Sequence, residues 1–212
     1  MVCGGPINEN FARKAFERIK PDCIIGIDRG LEFCRRNQIY PNYILGDFDS
    51  IIPETLEYYE NQNQIPVKRY KPEKDASDTR IGLELALELN SDRIFLLGAT
   101  GGRLDHYMAN LQSLQVPLEK GAQAWILDEQ NVITVLDKGM EIPREKLPGT
   151  YISFFSLGDK VEGLNLEGFK YPLENYTMYN WDGIGVSNEI EEKTARVTFR
   201  SGRLLMIMSR DK

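Results

Sequence analysis

Up to about Asn131 the chain alternates short apolar runs with longer stretches of helical period. Val2-Cys3 opens into Gly4-Gly5-Pro6, and Asn8 to Ile19 then carries Phe11, Ala15, Phe16 and Ile19 at helical spacing. Cys23 to Ile27 is a continuous apolar run of the buried-strand type, ending at Asp28. Leu31 to Arg36 reads as a short helix, Tyr43 to Leu45 as a strand running into Gly46-Asp47, and Pro53 to Asn61 as a helix with proline in its first turn. Val67 to Tyr70 is a further strand. From Ser77 to Asn90 two periods compete: alternate residues are apolar, yet Ile81, Leu85 and Leu89 share one helical face. The stretch is longer than most strands, which predicts a helix. Arg93 to Leu97 is a strand feeding Gly98 to Gly102, Leu104 to Glu119 is a helix, and Gln123 to Asp128 is a strand. Strands and helices taking turns imply a mainly parallel sheet covered by helices on both faces.

Beyond Asn131 the pattern is different. Ile133 to Leu136, Tyr151 to Phe155, Val161 to Leu166, Ala195 to Phe199 and Leu204 to Met208 are short strand candidates separated by glycines, with no convincing helix between them. That composition predicts an all-β, antiparallel sandwich or barrel-like domain. The expected fold is thus an α/β N-terminal domain over residues 1–130 and an all-β C-terminal sandwich domain over 131–212, with the boundary near 129–140.

The 212 residues are 42% hydrophobic and 27% charged, the balance of a soluble globular protein able to bury a core. A net charge of −6 without a Lys/Arg stripe argues against nucleic acid as the main partner. The N-terminal residues lack the basic and apolar regions of a signal peptide, and no apolar run is long enough to span a bilayer. Cys3, Cys23 and Cys34 have no metal-ligand spacing and read as reduced thiols of a cytoplasmic protein. The single His106 excludes multi-histidine metal sites.

Candidate chemistry centres on Gly46-Asp47-Phe48-Asp49-Ser50. On an extended segment, aspartates at i and i+2 point to the same side. Two carboxylates side by side call for a counter-charge, typically a hard cation such as Mg²⁺ shared with phosphates; a solvated turn is the plainer alternative. Position favours the cation. In a parallel sheet, ligands gather outside the carboxyl ends of the strands, and Asp28, Asp47, Asp49 and Gly98 to Arg103 all follow predicted strands. Asp75 and Asp78 follow the strand near Tyr70 and face the same edge, although Asp75 or Ser77 also serves as an ordinary helix N-cap. Gly98-Ala99-Thr100-Gly101-Gly102-Arg103 opens a helix, where backbone N–H groups and an arginine suit phosphate oxygens. It lacks the Gly-Lys-Ser/Thr ending of a P-loop and does not fit the dinucleotide fingerprint. Asp105 and His106 lie in the helix's first turns; Asp105 is the better substrate contact, and His106 is at least as readily a packing residue.

These motifs occur in the order found in a known family. Gly4-Gly5-Pro6, Asp28-Arg29-Gly30, Gly46 to Ser50, Lys74-Asp75-x-Ser77-Asp78, Gly98 to His106 and the C-terminal Gly185-Val186-Ser187-Asn188 together resemble thiamine pyrophosphokinase of the bacterial type, over nearly the whole chain. The resemblance implies transfer of the pyrophosphoryl group of ATP to the thiamine hydroxyl, giving thiamine diphosphate and AMP. It implies Mg²⁺, and a homodimer whose sites lie between one subunit's catalytic domain and its partner's sandwich. Carried onto this sequence, Asp47 and Asp49 would hold Mg²⁺, with Asp28 and Asp78 as ligands or close behind. Lys74, Asp75 and Ser77 would line the phosphate or substrate side, and Thr100, Gly101, Gly102 and Arg103 the nucleotide. Asp105, Ser187 and Asn188 would meet thiamine. Asp78 and Asp105 are candidate general bases. Animal members place a tryptophan over the thiamine; Leu204 to Met208 has none, which leaves Met206 as a soft apolar substitute, with Trp181 a loop or core residue. Two rivals are an aspartate-nucleophile phosphatase using Asp47 and a regulator that binds thiamine or nucleotide without turnover.

Overall fold

The computed structural model describes residues 1–61, 65–69 and 77–211, and the chain divides into two compact units, Met1–Glu129 and Gln130–Lys212. In the first unit the order is α1 (Glu9–Ile19), β1 (Ile25–Ile27), α2 (Gly30–Arg36), β2 (Tyr43–Gly46), α3 (Pro53–Glu60), β3 (Val67–Arg69), α4 (Asp78–Glu88), β4 (Arg93–Leu97), α5 (Leu104–Ser113), α6 (Gln115–Leu118) and β5 (Gln123–Leu127). Among the described residues β1 pairs in parallel with β2, β2 with β3, and β4 with β5. Val2 joins the two groups by bridging in parallel to Gly26 of β1 and Leu97 of β4. Its N–H donates to the Ile25 carbonyl at 2.9 Å, and its carbonyl accepts from Ile27 N–H at 2.9 Å.

Local signals explain where the helices start and stop. Asn8 caps α1 by accepting from Phe11 N–H at 3.0 Å, and Ser77 caps α4 by accepting from Arg80 N–H at 3.3 Å. The start of α3 has no cap from its own side chain; Glu32 of α2 supplies one from outside, accepting from Ile52 N–H at 3.2 Å. The single helix expected over 104–119 is two, divided at Leu114. Pro117 has no N–H for the Ser113 carbonyl, so the regular ladder cannot run through this point. Leu31, Ile44, Phe33 and Tyr59 are buried between sheet and helices, each such apolar side chain contributing roughly 1.5–3 kcal/mol.

The second unit contains β6 (Asn131–Leu136), β7 (Met140–Pro143), a 3₁₀ turn (Arg144–Lys146), β8 (Tyr151–Ser156), β9 (Lys160–Glu167), β10 (Leu173–Tyr179), β11 (Thr194–Thr198) and β12 (Leu204–Ser209). Strand β12 lies antiparallel between β6 and β8, and a second antiparallel sheet runs β10-β9-β11-β7. Phe154, Leu204 and Met206 from the first sheet share a core with Val161, Leu164, Met178 and Val197 from the second. The all-β sandwich expected from sequence is therefore present, with two strands, β7 and β10, that the apolar pattern does not reveal.

Candidate functional site

The strand ends of the first unit build one cleft of about 1110 Å³, slightly larger than the roughly 300–1,000 Å³ of most small-molecule pockets. Asp28 reaches it from the end of β1, and Asp47 and Asp49 from the end of β2. Ser77 and Asp78 enter from the start of α4, and Thr100 to Arg103 with Asp105 from the turn between β4 and α5. Of the candidates in this unit, all the described ones line the cleft. Lys74 and Asp75 lie outside the described residues.

The two aspartates converge by a different route from simple strand alternation. Strand β2 ends at Gly46, and Phe48 adopts the left-handed conformation, with φ 60°. Asp49 N–H then closes on Asp47 Oδ1 at 3.2 Å in a turn. The Phe48 ring is buried, 8% exposed, with the Arg69 guanidinium carbon 5.4 Å from its centroid.

The glycine-rich turn is fixed from two sides. Gly5 N–H donates to the Gly98 carbonyl at 2.9 Å, so the Gly4-Gly5-Pro6 segment is one wall. Asn110, buried in α5, donates its side-chain amide to the Ala99 carbonyl at 2.9 Å. Asn110 was not among the sequence candidates; a polar residue in line with the apolar face of a helix is the signal that points to it. Gly102, exposed and with φ 67°, has no heavy atom within 4 Å of where a Cβ would stand, so the turn is open on that side.

Arg103 and Asp105 form an exposed pair: Nε donates to Oδ1 at 3.1 Å and Nη2 to Oδ2 at 2.6 Å. Arg103, helped by the His106 N–H at 2.9 Å, pulls the Asp105 carboxyl down to about 2. Asp105 is thus a firm anion with little appetite for a proton. His106 is exposed on the cleft wall. Cys3 also lines the cleft, but burial pushes its thiol up to about 11, so it offers no thiolate to a metal or substrate.

The donor set accordingly consists of carboxylate oxygens, the chemistry of a hard cation. Among the described residues no three His, Cys, Asp or Glu side chains already form a metal cage. An open arrangement of this kind fits Mg²⁺, which uses one or two carboxylates and completes its shell with water and phosphate oxygens.

In the sandwich unit, Ser187 is exposed with φ 55°, its N–H donating to Ser153 Oγ at 2.9 Å. Asn188 is 1% exposed, and its side chain brackets the neighbouring loop. Oδ1 accepts from Tyr171 N–H at 3.0 Å and Glu189 N–H at 2.9 Å, while Nδ2 donates to the Tyr171 carbonyl at 2.7 Å. This amide serves the fold rather than presenting itself to a ligand. Met206 is 2% exposed inside the sandwich core and offers no surface for stacking. Tyr171, held at both its backbone polar groups by Asn188, has an exposed ring, 54% accessible. Lys170 Nζ stands 5.6 Å from its centroid. An isolated tyrosine before a proline carries no period, so the apolar pattern does not single it out. Trp181 is a loop residue but not a core one, 75% exposed and stacked on Tyr179 at 4.7 Å.

An α/β unit with an acidic, glycine-lined cleft at its strand ends has the architecture of enzymes that bind small ligands beyond the carboxyl ends of a parallel sheet. Comparison narrows the class. Residues 17–126 match the family model for the thiamin pyrophosphokinase catalytic domain, and residues 139–204 match that for the thiamin pyrophosphokinase vitamin B1 binding domain. The chain is 33% identical to the thiamine pyrophosphokinase of Bacillus subtilis, over 88% of this chain and 87% of that one. A crystal structure of thiamine pyrophosphokinase from Bacillus subtilis superimposes with a TM-score of 0.87 at 30% identity, covering 99% of this chain and 97% of the other. The structure from Geobacillus thermodenitrificans gives 0.82 at 30% identity, covering 99% and 96%. The chain belongs to the thiamin pyrophosphokinase family.

Proposed function

We propose that this protein transfers the pyrophosphoryl group of ATP to the hydroxyl of thiamine, releasing thiamine diphosphate and AMP, with Mg²⁺ as its metal. The observation that carries the reading is the convergence of Asp47, Asp49, Asp78 and the Gly98–Arg103 turn on one cleft, in a chain matching both domains of the family. Residues 1–130 carry the chemistry and 131–212 supply further thiamine contacts, acting in the cytoplasm, where the three free thiols stay reduced.

Asp47 and Asp49 would hold the Mg²⁺, with Asp78 lining the same cleft. When bound, that ion neutralises phosphate charge and aligns the β-phosphorus for in-line attack. The Gly101 and Gly102 backbone and Arg103 receive the nucleotide's phosphates, and Thr100 lies on the same wall. The thiamine oxygen forms a bond to the β-phosphorus as the bond to the AMP oxygen breaks, and the hydroxyl proton leaves to a carboxylate of the cleft. Asp78 suits that role better than Asp105, whose low pKa keeps it ionised and disposed to face the positive thiazolium. Ser77 lies beside Asp78 on the substrate side, its hydroxyl already engaged in capping α4. Ser187 and the exposed face of Tyr171 supply the sandwich's contacts, coming from the second subunit of a homodimer; Tyr171, rather than the buried Met206, offers the stacking surface.

The test is an assay with ATP, Mg²⁺ and thiamine that resolves AMP, ADP and inorganic phosphate. Equal amounts of AMP and thiamine diphosphate, lost on adding EDTA, are expected. Phosphate release would favour an aspartyl phosphatase, and thiamine binding without product a regulator; either would end the kinase reading.

A further inference from the structure

We propose that Asp28 is a positioning residue: it acts through the backbone amide of Phe48 to set the Asp47–Asp49 pair, and does not itself touch metal or phosphate. This rests on the reading of the cleft given above.

Asp28 leaves β1 in the left-handed conformation, φ 44°, with its own N–H donating to the Leu45 carbonyl of β2 at 3.1 Å. That bond ties the residue to the adjacent strand two positions before the acidic turn begins. Its Oδ1 then accepts from Phe48 N–H at 3.3 Å. Phe48 is the residue that needs support, because a bulky side chain is rarely found at positive φ. A carboxylate acceptor on its amide, burial of its ring and the Arg69 guanidinium over that ring hold it there. With Phe48 reversed in this way, Asp49 N–H meets Asp47 Oδ1 at 3.2 Å and both aspartates line the cleft. Were Phe48 to relax to an extended conformation, that turn would open.

Gly46 is part of the same device. A Cβ at this position would collide with Asp28 Oδ1 and crowd Asp28 Cγ at 2.6 Å. The glycine thus makes room for the carboxylate of the neighbouring strand. Asp28, Gly46 and Phe48, separated in sequence, form one support beneath the acidic pair.

Three variants test this: Asp28→Asn, which keeps an acceptor oxygen without the charge; Asp28→Ala, which removes the acceptor; and Gly46→Ala, which displaces a carboxylate that is still present. The first readout is amide hydrogen exchange at Phe48 and Asp49, followed by NMR in protein stripped of metal. Asp28→Ala and Gly46→Ala are expected to speed exchange at Phe48 by about tenfold or more, as loss of a charge-assisted bond predicts, with β1 and β2 amides unchanged. Asp28→Asn should retain most of the protection. The second readout is the Mg²⁺ concentration giving half-maximal turnover, which should rise in the order in which protection is lost. Unchanged Phe48 exchange in Asp28→Ala would overturn the proposal. So would an Asp28→Asn variant whose Mg²⁺ requirement rises as far as that of Asp28→Ala while the amide stays protected, since that pattern marks a direct ligand. If Asp28→Ala does not fold, Asp28→Asn and Gly46→Ala decide the matter between them. If the wild type shows no turnover with ATP and thiamine, the functional reading fails, and the exchange data still settle what supports the turn.

Discussion

Arg103 grips Asp105 with two hydrogen bonds, Nε to Oδ1 and Nη2 to Oδ2, although both side chains are exposed and only one residue separates them. The two proposed to bind opposite charges, nucleotide phosphate and thiazolium, satisfy each other in the free protein. The pair keeps the carboxylate ionised and the guanidinium near the glycine-rich turn.

The titration of Asp105 should report the pair directly. Its carboxyl is lowered from 3.8 to about 2, chiefly by Arg103. A lowered carboxyl stabilises the fold at pH values above 3.8, and that contribution fades as pH falls through about 2. In Arg103→Ala the midpoint should climb back toward 3.8, as read by carbon-13 NMR of the carboxyl. A midpoint still near 2 in that variant would mean that the backbone N–H of His106, not the guanidinium, sets the value.

The same pair predicts cooperation between substrates. A phosphate that recruits Arg103 frees Asp105 for the thiazolium, so a non-hydrolysable ATP analogue should tighten thiamine binding by about fivefold or more, the lower range of typical couplings. Calorimetry on wild type and Asp105→Asn would measure it; identical enhancement in both proteins would exclude Asp105 as the link.

Asp49 is exposed, so its removal should spare the fold. Asp49→Ala is expected to cut AMP formation at least ~100-fold, the scale of losing a principal electrostatic group, with an unshifted melting temperature. Near-normal turnover would remove Asp49 from the mechanism.

Asn188 and Tyr171 should separate into stability and binding. Asn188→Ala strands the Tyr171 backbone groups and the Glu189 N–H that the amide now satisfies, at a cost of about 1–3 kcal/mol for the buried group left unpaired, visible as a lower urea midpoint. Tyr171→Ala should leave that midpoint nearly unchanged and raise the KM for thiamine. The reverse assignment of effects would place the ligand contact on Asn188.

Much of this architecture could be read from residue pattern because the relevant forces are local. Apolar runs such as Ile25 to Ile27 bury whole in a parallel sheet, and Ser77 announces the α4 start through its own hydroxyl. What escaped depends on distant partners or interrupted periods. Strand β10 has register shifts at Leu173/Tyr176 and Tyr176/Met178 that erase a clean alternation, and β7 is four residues ending in proline. The left-handed Phe48 could not be foreseen from Asp47-Phe48-Asp49 alone, because the acceptor that holds it lies on another strand. Met206 sits in an apolar run, which says that a residue is covered but not whether protein or ligand covers it.

The chain's two tryptophans fall one to each unit. Trp125 stacks on Phe95 across the β4–β5 pair, with ring centroids 5.0 Å apart, whereas Trp181 lies exposed against Tyr179. Each unit therefore carries its own intrinsic fluorophore in a different solvent environment. Replacing either indole by phenylalanine leaves a single-colour reporter, so that the melting of the α/β unit and of the sandwich can be followed separately, with no dye or tag attached.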